Sequence, residues 1–288
     1  MTVLWPSSSL IWRGRPHPDR PDLVYHYTDT SGLEGILTSG AFHATHIRHM
    51  NDSEETQLAF RHASELITWL IGQGQLDDLK AQAEHAVESF SHWLQVNYCV
   101  ISFSEAPDAL SQWRGYGGPA QGYALGLQRE ALSAVGSAWR FERCVYDEAA
   151  AELIIRGLLT EAIEATRAGK FDKYQEYERL FRAIYSPLLL FSPFVKSAAF
   201  AEEREWRLVG GPLPGGPDGV MRTKVGRRGL VPYTNLPIPE VDGRLCVDEI
   251  WIGPGATKTT EHGLDSLLAM REATRHVHKW TSKAPYLP

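Results

Sequence analysis

Runs of apolar residues separated by polar turns predict a series of short strands along the chain. The runs are rich in β-branched and aromatic residues and are bounded by Gly, Pro, Asp or Asn, which is typical of strands. The clearest cover residues 23–28, 98–104, 123–127, 205–209 and 247–252. Shorter runs predict further strands at 42–47, 139–146, 220–225, 229–233 and 277–280.

Apolar residues spaced by three and four predict helices between these strands. A short helix after residue 31 ends at Gly40, because glycine accepts the left-handed conformation that closes a helix. Longer helical patterns cover 58–70, 79–94, 147–169, 172–190 and 261–273. This order of elements predicts an α+β fold in which most strands pair with distant partners.

The helical segments also predict the domain organisation. Residues 1–22 are rich in Pro, Ser and Arg without periodicity, which predicts an irregular N-terminal arm. We expect one domain over 23–288, with helical insertions at about 53–97 and 147–190. A chain of 288 residues is long enough to bury a large core in such a domain.

Composition and charge narrow the function classes. A net charge of −6 argues against binding nucleic acid by bulk electrostatics, although a local basic groove stays open. The three cysteines are far apart in apolar surroundings, which predicts reduced core residues and no zinc site. No apolar run approaches the roughly 20 residues that span a bilayer, and no secretory signal is visible. We expect a cytoplasmic protein without a membrane partner.

Two tempting motifs do not fit their chemistry. The segment 253–259 imitates a phosphate-binding loop, but it lacks the glycine before Lys258 and is one residue short, which favours a plain turn. His43, His46 and His49 are spaced by three, a spacing that would gather them only on a helix, whereas their surroundings predict a strand and its exit loop. We therefore predict no metal site.

Three strand ends combine polar and aromatic residues in an unusual way. His26 closes the first strand, and it is either a ligand-binding group or a core histidine satisfied by backbone. Trp113 and Tyr116 follow the 98–104 strand, as a packed aromatic corner or as ligand-stacking rings. Glu205 enters the apolar alternation of a strand, unlike Glu203, which looks like part of a solvated face.

Several motifs together resemble a known family. They are Tyr25-His26-Tyr27-Thr28, Asn51-Asp52-x-Glu54, Ser111-Gln112-Trp113-Arg114-Gly115-Tyr116, Glu203-x-Glu205-Trp206-Arg207 and Ile252-Gly253-Pro254. From about Leu23 to the C-terminus the chain resembles the bacterial family called domain of unknown function 2971. It more distantly resembles the ADP-ribosyltransferase superfamily, in its His-Tyr-Glu, diphtheria-toxin-like branch. The resemblance implies a split mixed or antiparallel β-sheet core with inserted helices.

The superfamily resemblance also implies roles for individual residues. His26 would bond the 2′-hydroxyl of the adenosine ribose of NAD, and the backbone at Tyr27 would meet the nicotinamide amide. Glu205 would hold a hydroxyl of the nicotinamide ribose, so Glu205 and His26 are the predicted catalytic residues. Trp113 falls where the superfamily keeps an aromatic that stacks on nicotinamide, with Tyr116 as its rival.

Further residues complete the predicted site. Ser102 and Ser104 would line the pocket floor, and Glu203 would contact the acceptor, as in arginine-modifying relatives. Guanidinium groups bind phosphates in pairs of hydrogen bonds, which makes Arg114 and Arg207 candidates for the NAD pyrophosphate. Arg207 could equally be a structural ion-pair partner. The predicted NAD-binding set is His26, Tyr27, Thr28, Ser102, Ser104, Trp113, Arg114, Tyr116 and Arg207.

This small set of residues suffices for the chemistry of NAD. Cleavage of the ribose–nicotinamide bond passes through an oxocarbenium-like transition state, as glycoside cleavage does. Nicotinamide leaves NAD as a neutral molecule, so one positioned carboxylate replaces the usual pair of acids. We predict an NAD-dependent ADP-ribosyltransferase that modifies a protein or nucleic acid, as a toxin or anti-phage effector. The alternatives are an NAD glycohydrolase and a non-catalytic nucleic-acid- or protein-binding module. A third alternative, a metal-dependent nuclease, would need carboxylates converging with a lysine, and the sequence shows no such set.

Overall fold

A computed structural model describes most of the chain. The described residues are 22–50, 55–90, 97–118, 121–136, 138–169, 173–211, 213–215, 219–226 and 229–285. The predicted N-terminal arm, apart from residue 22, and the polar motif at 51–54 lie outside them.

Twelve strands form within the described residues. In chain order they are β1 (Leu23–Asp29), β2 (Ala41–His46), β3 (Cys99–Ser104), β4 (Gly122–Gln128), β5 (Trp139–Arg143), β6 (Glu205–Gly210), β7 (Arg222–Gly226), β8 (Gly229–Pro237), β9 (Glu240–Val241), β10 (Arg244–Leu245), β11 (Val247–Ile252) and β12 (His278–Thr281). The short β9–β10 hairpin is too brief for an apolar alternation, so the sequence pattern did not predict it.

Eight α-helices accompany these strands in the described residues. They are α1 (Thr30–Ser39), α2 (Glu55–Gly72), α3 (Lys80–Ser89), α4 (Leu110–Tyr116), α5 (Arg129–Ser133), α6 (Glu148–Ala168), α7 (Lys173–Phe191) and α8 (Lys258–Ala269). Helix α1 begins where the Asp29 carboxylate accepts from the Gly32 amide, and it ends at Gly40 with φ of 66°. The predicted glycine stop is thus confirmed.

The chain separates into a helical unit and a sheet unit. The helical unit includes Ile47–Asn97 and Cys144–Ala201, and it holds α2, α3, α6 and α7. These four helices lie in the two segments predicted as insertions, while the extent of the predicted domain over 23–288 stays a prediction. No helix among the described residues is long and apolar enough to cross a membrane.

The sheet unit contains a ten-stranded sheet that confirms the predicted α+β class. The main order is β12-β11-β4-β1-β3-β2-β8-β7, with β6 on β3 and β5 on β6. Strands β11 and β12 are parallel and the other pairs of this sheet are antiparallel, so the sheet is mixed. One face packs a core that includes Val24, Phe42, Phe103, Leu125 and Leu208.

The sheet is split at one edge of β3. Strand β6 pairs with all of β3, so β1 and β2 must share the opposite edge. Strand β1 pairs with the end of β3, where Tyr25 lies opposite Ser104. Strand β2 pairs with the beginning of β3, where Thr45 lies opposite Val100. These strands lie wholly within the described residues. Residues 101–103 of β3 therefore face a gap between β1 and β2 on that edge.

Candidate active site

A cavity opens at this gap in the sheet. Its empty space, counted together with the open solvent at its mouth, is about 310 Å³. Residues from both faces of the sheet contribute to it, because the gap leaves both faces accessible. The lining residues are His26, Tyr27, Ser102, Phe103, Gln112, Tyr116, Glu203 and Glu205.

The His26 side chain forms a hydrogen bond with β3 at a place where β1 does not pair with that strand. Its Nδ1 lies 2.9 Å from the Ser102 carbonyl oxygen, in the stretch of β3 that β1 does not reach. The ring also contacts Phe42 and Phe103, with centroids 5.1 and 5.7 Å away. Burial is the main cause that lowers the pKa of His26 to about 4, so the ring is neutral at pH 7.

The Ser102 carbonyl also fixes the tautomer of His26. A carbonyl oxygen can only accept, so the neutral ring carries its proton on Nδ1 and donates it to Ser102. The other ring nitrogen, Nε2, then has a lone pair and acts as an acceptor. His26 is therefore suited to receive a hydrogen bond from a hydroxyl group of a ligand.

Helix α4 divides its residues between the cavity and the core. Gln112 and Tyr116 are four residues apart, so they lie on the same side of the helix, and both line the cavity. Trp113 lies on an adjacent side of the helix and is buried, with 3% of its surface exposed. The helix thus brings Tyr116, the rival of Trp113, to the cavity.

Trp113 is a packed core residue. Its ring lies 4.6 Å from the Tyr27 ring, edge to face, and its Nε1 donates to Asp108 at 2.7 Å. A Cβ atom on Gly122 or Gly253 would each lie 3.1 Å from the indole. Glycine at both positions therefore makes room for Trp113. This explains the glycine in the segment that imitates a phosphate-binding loop, which is a turn between β11 and α8.

Glu205 is held by a buried ion pair at the start of β6. Arg207 Nε lies 2.8 Å from Oε1 of Glu205, and Nη2 lies 3.1 Å from Oε2. The two residues are 4% exposed each, and residues two apart on a strand share a face. Two parallel hydrogen bonds fix the plane of the carboxylate. Arg207 is thus the ion-pair partner of Glu205, and its contact with the NAD pyrophosphate stays a prediction.

A strained turn precedes Glu205. Arg204 has φ of 45°, in the left-handed region that non-glycine residues rarely adopt. Strand β3 holds the turn, because Ser104 Oγ donates to the Glu203 carbonyl at 2.7 Å and the Glu105 amide donates to the Arg204 carbonyl at 3.2 Å. The turn leaves both Glu203 and Glu205 in the cavity lining.

Five residues of the predicted site are not among the lining residues. Thr28 lies over Gly32 in the first turn of α1. Ser104 bonds the Glu203 carbonyl, and Trp113 is in the core. Arg114 is exposed on α4, and Arg207 pairs with Glu205. The other six predicted residues, namely His26, Tyr27, Ser102, Tyr116, Glu203 and Glu205, line one cavity.

Two lining residues were not predicted as site residues. Phe103 looks like an ordinary core residue in a buried strand, and only its place opposite the gap brings it to the cavity. Gln112 is 6% exposed, and a polar residue so deeply buried in a short helix is a signal for a ligand contact. The helical spacing of Gln112 and Tyr116 could have identified the pair.

Other polar features near the cavity define its chemistry. The Ser102 Oγ atom is buried and has no hydrogen-bond partner among the described residues. Tyr27 Oη donates to the Ala106 carbonyl at 2.7 Å and accepts from the Ala109 amide at 3.0 Å, which holds the segment before α4. No group of three or more His, Cys, Asp or Glu among the described residues is arranged to hold a metal ion.

Comparison with known proteins agrees with the family resemblance. The family described as "Protein of unknown function (DUF2971)" matches residues 112–208, which confirms that resemblance over this segment. A solved structure of DarT from Thermus sp. 2.9 in complex with ADP-ribosylated ssDNA is similar with a TM-score of 0.37 and 12% identity, over 93% of this chain and 97% of that chain. No curated protein matches the chain.

Proposed function

We propose that the protein is an NAD-dependent ADP-ribosyltransferase that modifies a protein or nucleic acid. The observation that carries the proposal is that His26, Tyr116 and Glu205, from three separate parts of the chain, line one cavity at the gap of the sheet. A neutral histidine, an aromatic ring and a fixed carboxylate are the groups that the superfamily resemblance calls for.

The residues that line the cavity support binding of the nicotinamide half of NAD. Tyr116 offers a ring face for stacking. The buried Gln112 amide, and the Ser102 Oγ that has no partner within the part of the chain that the structure describes, offer hydrogen bonds for a carboxamide or hydroxyl.

The reaction then needs electrostatic help and no acid. The bond between C1′ of the ribose and the nicotinamide nitrogen breaks, and its electron pair leaves with neutral nicotinamide. A nucleophilic oxygen or nitrogen of the acceptor bonds to C1′ and releases its proton to water. Glu205 would stabilise the positive charge that develops on the ribose, while His26 Nε2 would accept a hydrogen bond from a ribose hydroxyl.

Replacing Glu205 by Gln tests the chemistry. We expect nicotinamide release from NAD to fall at least 100-fold, on the scale of losing one transition-state electrostatic contact. The change also leaves Arg207 buried without its counter-charge, which destabilises the fold. Release is therefore measured by chromatography well below the melting temperature of each variant.

Glu105→Gln is the matched control for stability. Glu105 is also buried, and it accepts from Trp206 Nε1 at 2.9 Å, but it is not a lining residue. We expect it to lose stability and keep NAD cleavage. Undiminished nicotinamide release by Glu205→Gln would remove the proposed mechanism.

Mass spectrometry identifies the acceptor class. Protein and oligonucleotide mixtures are incubated with NAD and searched for the added mass of ADP-ribose. Adducts on either class indicate transfer, whereas free ADP-ribose without any adduct indicates that water is the acceptor and that the protein is an NAD glycohydrolase.

A further inference from the structure

Strands β2, β8 and β7 present a polar face beside the cavity. His43 lies opposite Asn235 and Thr45 lies opposite Tyr233, while Tyr233 also lies opposite Arg222. Paired and alternate residues share a face of a sheet, so these side chains all project to one side. Lys224, two residues after Arg222, joins them. We call Arg222, Lys224, Tyr233 and His43 the hairpin face.

The hairpin face is continuous with the cavity. Thr45 lies opposite Val100 on β3, so the alternate β3 residues Ser102 and Ser104 project to the same side. Ser104 in turn lies opposite Glu205 on β6. One face of the sheet thus runs from the proposed catalytic carboxylate, past the gap, to the β7–β8 hairpin. The opposite face of β2 and β8 packs Phe42, Ala44 and Leu236 into the core.

The β7–β8 region is positively charged, whereas the whole chain carries a net negative charge. The chain carries a net charge of −6, yet the sequence between Gly219 and Pro239 has four Lys or Arg and no Asp or Glu. Within the hairpin face, Arg222 is exposed and its Nη1 donates to the Gly219 and Met221 carbonyls. The face therefore suits an anionic ligand.

Lys224 is a cation held among rings. Its Nζ lies 5.4 Å from the Tyr233 ring centroid, and the Tyr233 ring lies 4.4 Å from the His43 ring. Lys224 forms no salt bridge among the described residues. Burial is the main cause that lowers its pKa, while the charge of Asp29 acts in the opposite direction. The charge of Lys224 adds to the burial that lowers the pKa of both His26 and His43. An anionic ligand beside Lys224 would add to the compensation that Asp29 provides.

We propose that the hairpin face binds the acceptor and that the acceptor is a single-stranded nucleic acid. Single strands are bound by cations that follow the backbone and by aromatic rings on which bases stack. Arg222 and Lys224 supply the cations, and Tyr233 and His43 supply the rings. The inference rests on the proposed ADP-ribosyl transfer, since the bound strand would run along the sheet to the cavity.

Binding of a labelled oligonucleotide tests the inference. The probe is a fluorescein-labelled single-stranded DNA of about 20 nucleotides, followed by fluorescence anisotropy in 50–200 mM salt. For Arg222→Gln/Lys224→Gln we expect about tenfold weaker binding at 100 mM salt. The dependence of log K on log salt should fall by roughly 1.4, from about 0.7 for each phosphate contact to a single strand. Tyr233→Leu should weaken binding without changing that dependence.

The control removes the same charge elsewhere. Lys80→Gln/Arg156→Gln removes two half-exposed cations of the helical unit, and it should bind the oligonucleotide as the wild type does. Circular dichroism checks that each variant is folded. Equal binding by both double variants would overturn the inference.

Further outcomes separate the inference from the proposed function. If the hairpin variants lose affinity for NAD and keep the oligonucleotide, the face binds the NAD diphosphate and the inference fails. If the wild type cleaves NAD but binds an acidic peptide in place of the oligonucleotide, the acceptor assignment alone fails. If the wild type binds the oligonucleotide but never releases nicotinamide from NAD, the proposed function fails.

Discussion

His26 is a histidine whose protonation state is set by its place in the sheet. The Ser102 carbonyl orients the ring, and burial keeps it uncharged, so the Nε2 lone pair is available at neutral pH. A charged ring would offer two donors and could no longer accept from a hydroxyl. The same burial links the stability of the fold to pH.

Stability should fall in acid because of His26. Its folded pKa of about 4 lies below the unfolded value of about 6.5. Between these values the unfolded chain binds more protons, so the free energy of unfolding decreases as pH falls from 6.5 towards 4. We expect His26→Gln to remove up to about 3 kcal/mol of this loss. Urea unfolding at pH 7 and pH 4.5 measures it.

The control for His26 is another histidine of the same sheet. His278 is exposed on β12, and His278→Gln should leave the difference in unfolding free energy between the two pH values as in the wild type. An unchanged difference in His26→Gln would show that the ring is protonated in the folded protein near its ordinary pKa.

Replacing Trp113 and replacing Tyr116 should have different effects on the free energy of unfolding and on the KM for NAD. Trp113 is 3% exposed and fills the space beside two glycines, so Trp113→Leu should destabilise the fold by about 3 kcal/mol. Tyr116→Leu should lower the free energy of unfolding by less than about 1 kcal/mol and raise the KM for NAD about tenfold. Urea unfolding and nicotinamide release distinguish them. A large rise in KM for Trp113→Leu with full stability would reverse their roles.

At the scale of elements, close contacts between backbone segments shape the site. Gly253 donates its amide to the Gly122 carbonyl at 2.9 Å, and both residues lie against the Trp113 ring. This contact joins the beginning of β4 to the end of β11, directly beside α4. The orientation of α4, and with it Tyr116, depends on glycine at these positions.

Gly122→Ala should therefore destabilise the sheet unit. A Cβ atom there would lie 2.7 Å from the Gly117 Cα and 3.1 Å from the Trp113 ring, so backbone would have to shift. We expect a loss of about 1–3 kcal/mol. Gly35→Ala in α1 is the matched control, since its Cβ would meet nothing within 4 Å. It should gain about 0.5–1 kcal/mol from helix propensity, and urea unfolding compares the two.

The elements differ in how well the sequence predicts them. Strand β3 and helix α1 are visible in the apolar pattern and in the stop at Gly40, because local rules determine them. The sequence did not predict that Trp113 faces the core, since one of the glycines that make room for its ring, Gly253, lies far away in the chain. For Arg207 the sequence leaves two roles open, pyrophosphate binding and an ion pair. Strand alternation predicts that Glu205 and Arg207 share a face of the sheet, but it does not predict a hydrogen bond between them.

For the whole molecule, the gap in the sheet brings together residues 26, 116 and 205 from distant parts of the chain. The sequence motifs named all three as site residues, and the family match at 112–208 covers two of the three. Their roles in the chemistry stay predictions. The pairing of β1 and β2 with one edge of β3 could not be predicted from sequence, because strand register depends on long-range contacts.

A ligand that binds only the folded protein should stabilise the whole fold. We expect NAD at about 100 times its Kd to add about 2.7 kcal/mol to the free energy of unfolding. The measurement uses differential scanning fluorimetry of Glu205→Gln, so that NAD is not consumed. Mg²⁺ in the absence of NAD should leave the melting temperature unchanged. A rise with Mg²⁺ and none with NAD would favour metal-dependent chemistry in place of NAD cleavage.

The split edge of β3 also fixes the distance between the strands β1 and β2 along that edge. The β2 ladder at Val100 and the β1 ladder at Ser104 are four residue steps apart, and a strand rises about 3.3 Å per residue, so the two ladders lie roughly 13 Å apart along β3. Main chain, and not movable side chains, forms both ends of that span. Changing that span would require inserting or deleting strand residues, since a side-chain substitution leaves the distance between the two ladders as it is.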